Sequence, residues 1–171
     1  SGACFFIRAT VFHELQGFDE TYFAHQEEID LCWRTQNLNY SIKYVWLATV
    51  FHVAGATLNE ENPKKTYLNF RNSLFSIVKN APKTKLIPII FTRLVLDGLA
   101  SIKFLFELKP IHTFVIIKAH FSFYNNLPRM LKKRKGLKQK NNYYNHKSIV
   151  RSFFVLGKKT CIWCLRSKFI L

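Results

Sequence analysis

Residues 86–108, LIPIIFTRLVLDGLASIKFLFEL, form the most apolar segment of the chain, and its length is enough to cross a bilayer. A run of this kind has to be covered by protein or lipid, so it limits what the rest of the chain can build. Polar residues interrupt it with a period. Arg93, Asp97 and Ser101 recur every fourth residue, which draws one polar stripe along a helix, and Lys103 and Glu107 add charge. Charges inside a membrane are costly unless paired, and Arg93 and Asp97 are spaced to pair. Three arrangements suit the segment: an interfacial amphipathic helix, a tilted span, or a helical hairpin closed by residues 111–123.

The charge of the chain is divided as unevenly as its hydropathy. Residues 1–60 carry three Lys or Arg against seven Asp or Glu, whereas residues 61–171 carry 23 against three. An acidic part followed by a basic one points to a site of carboxylates beside a face that meets phosphate, nucleic acid or anionic lipid. The basic run Arg129–Lys140, RMLKKRKGLKQK, follows Phe114, Phe121, Phe123 and Tyr124. Basic residues beside an apolar aromatic helix suit an anionic leaflet, at about 1 kcal/mol per Lys or Arg near the surface. The run lacks interleaved stacking aromatics, and no nucleic-acid motif is visible, so no nucleic-acid partner is expected. A basic membrane- or nucleic-acid-binding protein without catalysis is the alternative reading.

Ahead of the apolar segment the pattern is mixed. Residues 3–8 are mostly apolar and read as a strand covered on both faces, entered in mid-fold; the chain is expected to be the C-terminal part of a longer protein. Thr10 is placed to cap a short helix through Gln16 that buries Val11, Phe12 and Leu15, and Gly17 is placed to end it. From Glu27 the spacing of Ile29, Cys32 and Trp33 predicts a helix with those residues inward, and Asp30 and Arg34 form an i, i+4 pair. Residues 40–53 read as one or two strands ending at His52. Asn62 and Pro63 open a further helix to about Asn80, with Tyr67, Phe70, Leu74 and Ile77/Val78 as its apolar stripe. Cys4 and Cys32 read as buried free thiols, and Cys161-Ile-Trp-Cys164 has neither a second pair nor a nearby His for zinc.

Three of the ten acidic residues, Glu27, Glu28 and Asp30, fall within four positions. At a helix start, acids offset the positive end of the dipole, which is a structural use. A carboxylate there can also serve as a general base when it reaches a hydroxyl, and His52 at a strand end can serve as a metal ligand.

The order of these pieces resembles the second half of the catalytic domain of family 2 glycosyltransferases, especially bacterial rhamnosyltransferase-like members that build surface polysaccharides. The matching residues are Gly2-Ala3 with the following strand and Arg8, then Gly17-Phe18-Asp19-Glu20 and Phe23. They continue with Glu27-Glu28-Ile29-Asp30-Leu31, Arg34, and a strand ending in His52 with Gly55 after it. The resemblance implies an α/β fold class, the C-terminal part of a GT-A (nucleotide-diphospho-sugar transferase) fold followed by membrane-associated helices. Residues 1–80 would form the acceptor side, 81–128 amphipathic or transmembrane helices, and 129–171 a basic tail.

The same resemblance implies an inverting, metal-assisted transfer from a nucleotide-diphospho-sugar donor to a glycan or lipid-linked acceptor. It would take place at an anionic membrane surface, the cytoplasmic face of the bacterial inner membrane. Glu28 would deprotonate the acceptor hydroxyl, at a position where the family usually has Asp. Glu27 and Asp30 would orient that base or bind acceptor hydroxyls, and Gly2 and Ala3 would border the acceptor. His52 would complete the site of a divalent metal, Mg or Mn. The nucleotide-binding half would lie upstream, so residues 1–171 alone are expected to be inactive.

Overall fold

Helix α3, Pro63–Asn80, is the element on which the others are assembled, and its start follows from two residues. Pro63 occupies the first turn, where no amide donor is required, and the Asn62 side chain accepts from the Lys64 amide at 2.9 Å. The computed structural model describes residues 2, 4–45, 47–51 and 62–141. Among these the order is α1 (Ala9–Glu14), a 3₁₀ turn at Glu20–Tyr22, α2 (Glu27–Asn37), α3, a 3₁₀ turn at Lys83–Lys85, α4 (Leu86–Phe106) and α5 (Pro110–Lys135).

No strand occurs among the described residues, which overturns the α/β, GT-A expectation for this chain. Residues 5–8 and 40–45 carry the apolar character of strands but have no regular structure and no ladder partner. Strand preference is largely a preference for a covered, pleated surface, and a strand is stable only when neighbours take up its amides and carbonyls. Here the apolar side chains face outward instead: Phe6 is 97% and Phe51 is 96% exposed, with Tyr44, Val45 and Leu47 also exposed.

Helix α5 packs along α3, and α4 lies against both. Tyr22, Leu74, Phe75, Val78, Phe123 and Met130 fill the resulting core, with Ile90, Leu94 and Leu127 packed around it. A smaller cluster of Val11, Leu15 and Leu31 joins α1 to α2, bordered by Ile7, Phe12 and Leu38. Between them α1 ends at a left-handed pair, Gln16 and Gly17, where a Cβ on Gly17 would sit 3.1 Å from the Phe12 ring.

The apolar segment resolves into the first arm of a hairpin. Helices α4 and α5 run antiparallel through a turn at Leu108 and are clasped by polar contacts. The Asp97 carboxylate, 1% exposed, pairs with Arg93 at 2.6 Å on its own helix and with His120 Nε2 at 3.0 Å on α5. Nearer the turn, the Thr113 hydroxyl donates to the Ser101 carbonyl at 2.9 Å and the Phe104 and His112 rings stack at 4.8 Å. The polar stripe thus joins two helices. Among the described residues no helix is long and apolar enough to cross a membrane.

Two details depart from the sequence expectation. Helix α2 buries Asp30, Leu31, Arg34, Thr35 and Asn37, while Ile29 is exposed and Cys32 and Trp33 are half-buried. Cys4 is exposed rather than buried. Helix α5 is continuous from Pro110 to Lys135 and contains Pro128.

Candidate functional site

The loop that delivers the acidic motif is held in a conformation it would not adopt alone. Phe23, His25 and Gln26 have φ of 66, 65 and 74°, although none is glycine. Left-handed backbone at such residues costs on the order of 1 kcal/mol or more each and persists only where surroundings impose it. Helix α3 imposes it. Asn72 Nδ2 donates to the carbonyls of Tyr22 (3.0 Å), Ala24 (2.8 Å) and His25 (2.8 Å), so two amide hydrogens serve three acceptors. Arg71 Nη2 lies 3.3 Å from the Thr21 carbonyl and 3.2 Å from that of Tyr22.

Beneath the loop is a buried ionic network. Asp30, fully buried, accepts from Arg34 Nε (2.8 Å), Lys79 Nζ (2.9 Å), Asn80 Nδ2 (2.8 Å) and the Tyr22 hydroxyl (3.2 Å). Arg34 continues to the carbonyls of Leu15 and Gly17, fastening the end of α1. Lys79 also pairs with Asp19 at 2.7 Å, and Lys133 of α5 reaches Asp19 at 2.6 Å and the Thr21 hydroxyl at 2.7 Å. Asp19 additionally takes the Thr21 amide at 3.0 Å. Burial alone would raise the Asp19 carboxyl, but hydrogen bonds from Lys133 and Lys79 overcome it and hold the group well below the usual carboxylate range. The Tyr22 phenol is pushed far up by burial and by the Asp30 charge, so it stays protonated and donates.

Glu27 and Glu28 stand apart from this network. They occupy the first turn of α2, whose cap residue Gln26 supplies no side-chain hydrogen bond. Glu28 is half-buried and pairs with no cation among the described residues. Gly2 lies directly against it: a Cβ there would be 3.1 Å from Glu28 Cγ and Cδ. One oxygen of Glu27 and Nε2 of His25 are buried without a hydrogen-bond partner among the described residues. Cys32, one turn after Glu28, has its thiol pushed up by burial and then by the Glu28 charge, so it stays a thiol.

The structure therefore brings Gly2, Glu27 and Glu28 to one place and turns Asp30 inward as a brace. Ala3 and His52 lie outside the described residues. Among the described residues no three His, Cys, Asp or Glu side chains gather to hold a metal, and the oxygens of Asp30 are already taken by cations and amides. The one ligand expected in this chain for Mg or Mn, His52, lies outside the described residues, and no chemical step is routed through a metal.

Lys79, Asn80, Lys133 and Ser76, whose hydroxyl lies 3.1 Å from that of Tyr22, belong to the site beyond the residues expected from the sequence. A signal existed for three of them: Asn72, Ser76 and Asn80 recur every fourth residue along α3, with Lys79 beside the last. Lys133 lies within the basic run Arg129–Lys140, whose pattern points to an anionic leaflet and gives no sign of a partner inside the fold. Comparison with family models, with curated proteins and with solved structures finds no match.

Proposed function

We propose that this chain forms the acceptor side of a glycosyltransferase that moves a sugar from a nucleotide-diphospho-sugar to a glycan or lipid-linked acceptor with inversion. The observation that carries the reading is the contrast between the acids of one motif. Asp30 is consumed by two cations, an amide and a phenol, while Glu28, two residues earlier, keeps a carboxylate that no described cation neutralises. A general base needs that: a charged carboxylate, fixed in position, with an open approach. Gly2 supports the approach, because any side chain there would press on Glu28. The strained loop fixed by Asn72 supports the positioning.

In this scheme Glu28 accepts the proton of the acceptor hydroxyl as that oxygen attacks the anomeric carbon and the nucleoside diphosphate leaves from the opposite face. Glu27 orients the acceptor. The partner surface is an anionic membrane on its cytoplasmic side, contacted peripherally. Support for that contact is the outer face of the hairpin, where Ile87, Phe91, Leu99, Phe106, Phe114 and Phe121 are exposed next to basic residues of α5.

The test is Glu28→Gln in the full-length enzyme that carries this chain. General-base catalysis is worth about 10²–10⁴-fold, so kcat is expected to fall by at least about 100-fold while donor KM changes little. Turnover close to wild type would remove Glu28 from the role of base.

A further inference from the structure

A second site lies between α3 and α5, formed by residues outside the acidic motif. The two helices flank an open pocket of about 550 Å³ with three cations in its lining, Lys64, Arg71 and Lys118, and no carboxylate. Its walls are otherwise Phe23, Tyr67, Leu68 and Val115. Among the described residues neither Lys64 nor Lys118 has an acidic partner; each faces only an aromatic ring. Lys64 Nζ is 4.6 Å from the centre of Phe23 and Lys118 Nζ is 6.0 Å from that of Tyr67. Arg71 lies over the other side of this arrangement, 5.2 Å from the Tyr67 ring, and is held there by Asn72 Oδ1 at 2.9 Å.

Three positive charges around one cavity repel one another, and ring faces offset only part of that. A dianionic group at the centre would turn the repulsion into attraction, and phosphate is the group that Arg and Lys together suit by geometry and charge. The apolar half of the lining says what the phosphate carries. Phe23 holds its left-handed backbone with its ring 73% exposed, set at the cavity with Lys64 above it. On α5, Phe114, Lys118 and Phe121 share one face by helical spacing, and both phenylalanines are exposed. A chain attached to the phosphate therefore has an apolar track leading from the cations.

We propose that this cavity binds the phosphate of an amphiphile, a phosphate ester bearing an apolar chain. Such a ligand has two sources: a headgroup of the bilayer itself, or a dispersed single-chain phosphate of the kind a lipid-linked acceptor contains. The proposal deepens the acceptor reading, but it concerns binding alone and survives the loss of Glu28 as base.

The experiment measures binding of the full chain to octyl phosphate below its micelle concentration, to octanol, to inorganic phosphate and to phosphatidylglycerol vesicles. Wild type is compared with Lys64→Gln/Lys118→Gln and with Lys83→Gln/Lys85→Gln, which removes the same charge from the exposed 3₁₀ turn before α4. Both pairs of lysines lie at or near the surface, so folding is expected to be retained and is checked by circular dichroism. The expected result is at least tenfold weaker binding of octyl phosphate or of vesicles by the first variant and less than twofold loss by the second. Loss on octyl phosphate assigns the dispersed ligand, and loss on vesicles alone assigns the bilayer headgroup. Equal loss in both variants, no loss in either, octanol binding as tightly as octyl phosphate, or inorganic phosphate matching it would each overturn the proposal.

Discussion

A single residue, Asp30, shows how far charge reading reaches in this chain. With Arg34 four positions on, it reads as an exposed helical pair worth a few tenths of a kcal/mol. In the fold it is completely buried and meets Lys79 and Asn80 from a helix some 50 positions later, which no local spacing announces. The acids of the motif were legible as a cluster; their separation into a braced Asp30 and an unpaired Glu28 required α3. Asp19 gives this network a measurable signature. Its carboxyl is depressed from an ordinary 3.8 by Lys133 and Lys79 against the effect of burial. An unfolded chain therefore binds this proton more readily than the folded one. The stabilisation is complete above the ordinary value and is lost as pH falls below it. Asp19→Asn is expected to lower stability near pH 7 and to flatten the acid limb. The variant and wild type should then converge as the pH is taken below about 3 in urea denaturation. Parallel curves for the two proteins down to pH 2 would contradict the assignment.

At the scale of elements, capping chemistry was legible in part: Thr10, expected to cap α1, lies inside it, and Arg8 precedes it with no side-chain cap. Asn62-Pro63 opens α3 and Gly17 closes α1 as local rules require. Amphipathic phase was less so. Helix α2 turns Asp30 and Arg34 inward and leaves Ile29 out, because Tyr22, Lys79 and Asn80 supply partners for the polar stripe while the apolar one is only partly covered. The apparent strands failed for the same reason: an apolar run describes a surface that wants covering, and no neighbour among the described residues covers it. The every-fourth-residue stripe of α4 was legible as a polar face, but its mate, His120, lay in a different helix. The Asp97–His120 contact, at 3.0 Å with Asp97 buried, is expected to show a coupling of about 1 kcal/mol in a double-mutant cycle using Asp97→Asn and His120→Gln. Arg93, which pairs with Asp97 from the same helix, limits that value by retaining part of the compensation in the His120 variant. A coupling indistinguishable from zero would mean the hairpin is held by apolar packing and the Thr113–Ser101 contact alone.

For the whole molecule, the division of charge and the division of exposure coincide. The acids and their brace sit at one side of α3, while the outer surface of α4 and α5 carries exposed Phe91, Phe106, Phe114 and Phe121 and ends in exposed Lys132 and Lys135. Not every basic residue of that run is free for a partner. Lys133 is held by Asp19, and Arg134 donates to the Val78 carbonyl at 2.7 Å, with burial pushing its guanidinium down. The proposed membrane contact can therefore be divided into an apolar and an electrostatic part. Burying one exposed phenylalanine is worth about 1.5–3 kcal/mol, and each free lysine near an anionic surface about 1 kcal/mol at low salt. Phe91→Ser/Phe106→Ser is expected to weaken flotation with phosphatidylglycerol vesicles by more than tenfold at any ionic strength. Lys132→Gln/Lys135→Gln should weaken it at low salt and converge with wild type as salt is raised, since screening erases only the charge term. If the serine variant floats like wild type while the glutamine variant does not, the contact is electrostatic adsorption of a basic helix. The exposed hairpin face would then belong to a protein neighbour instead of the bilayer.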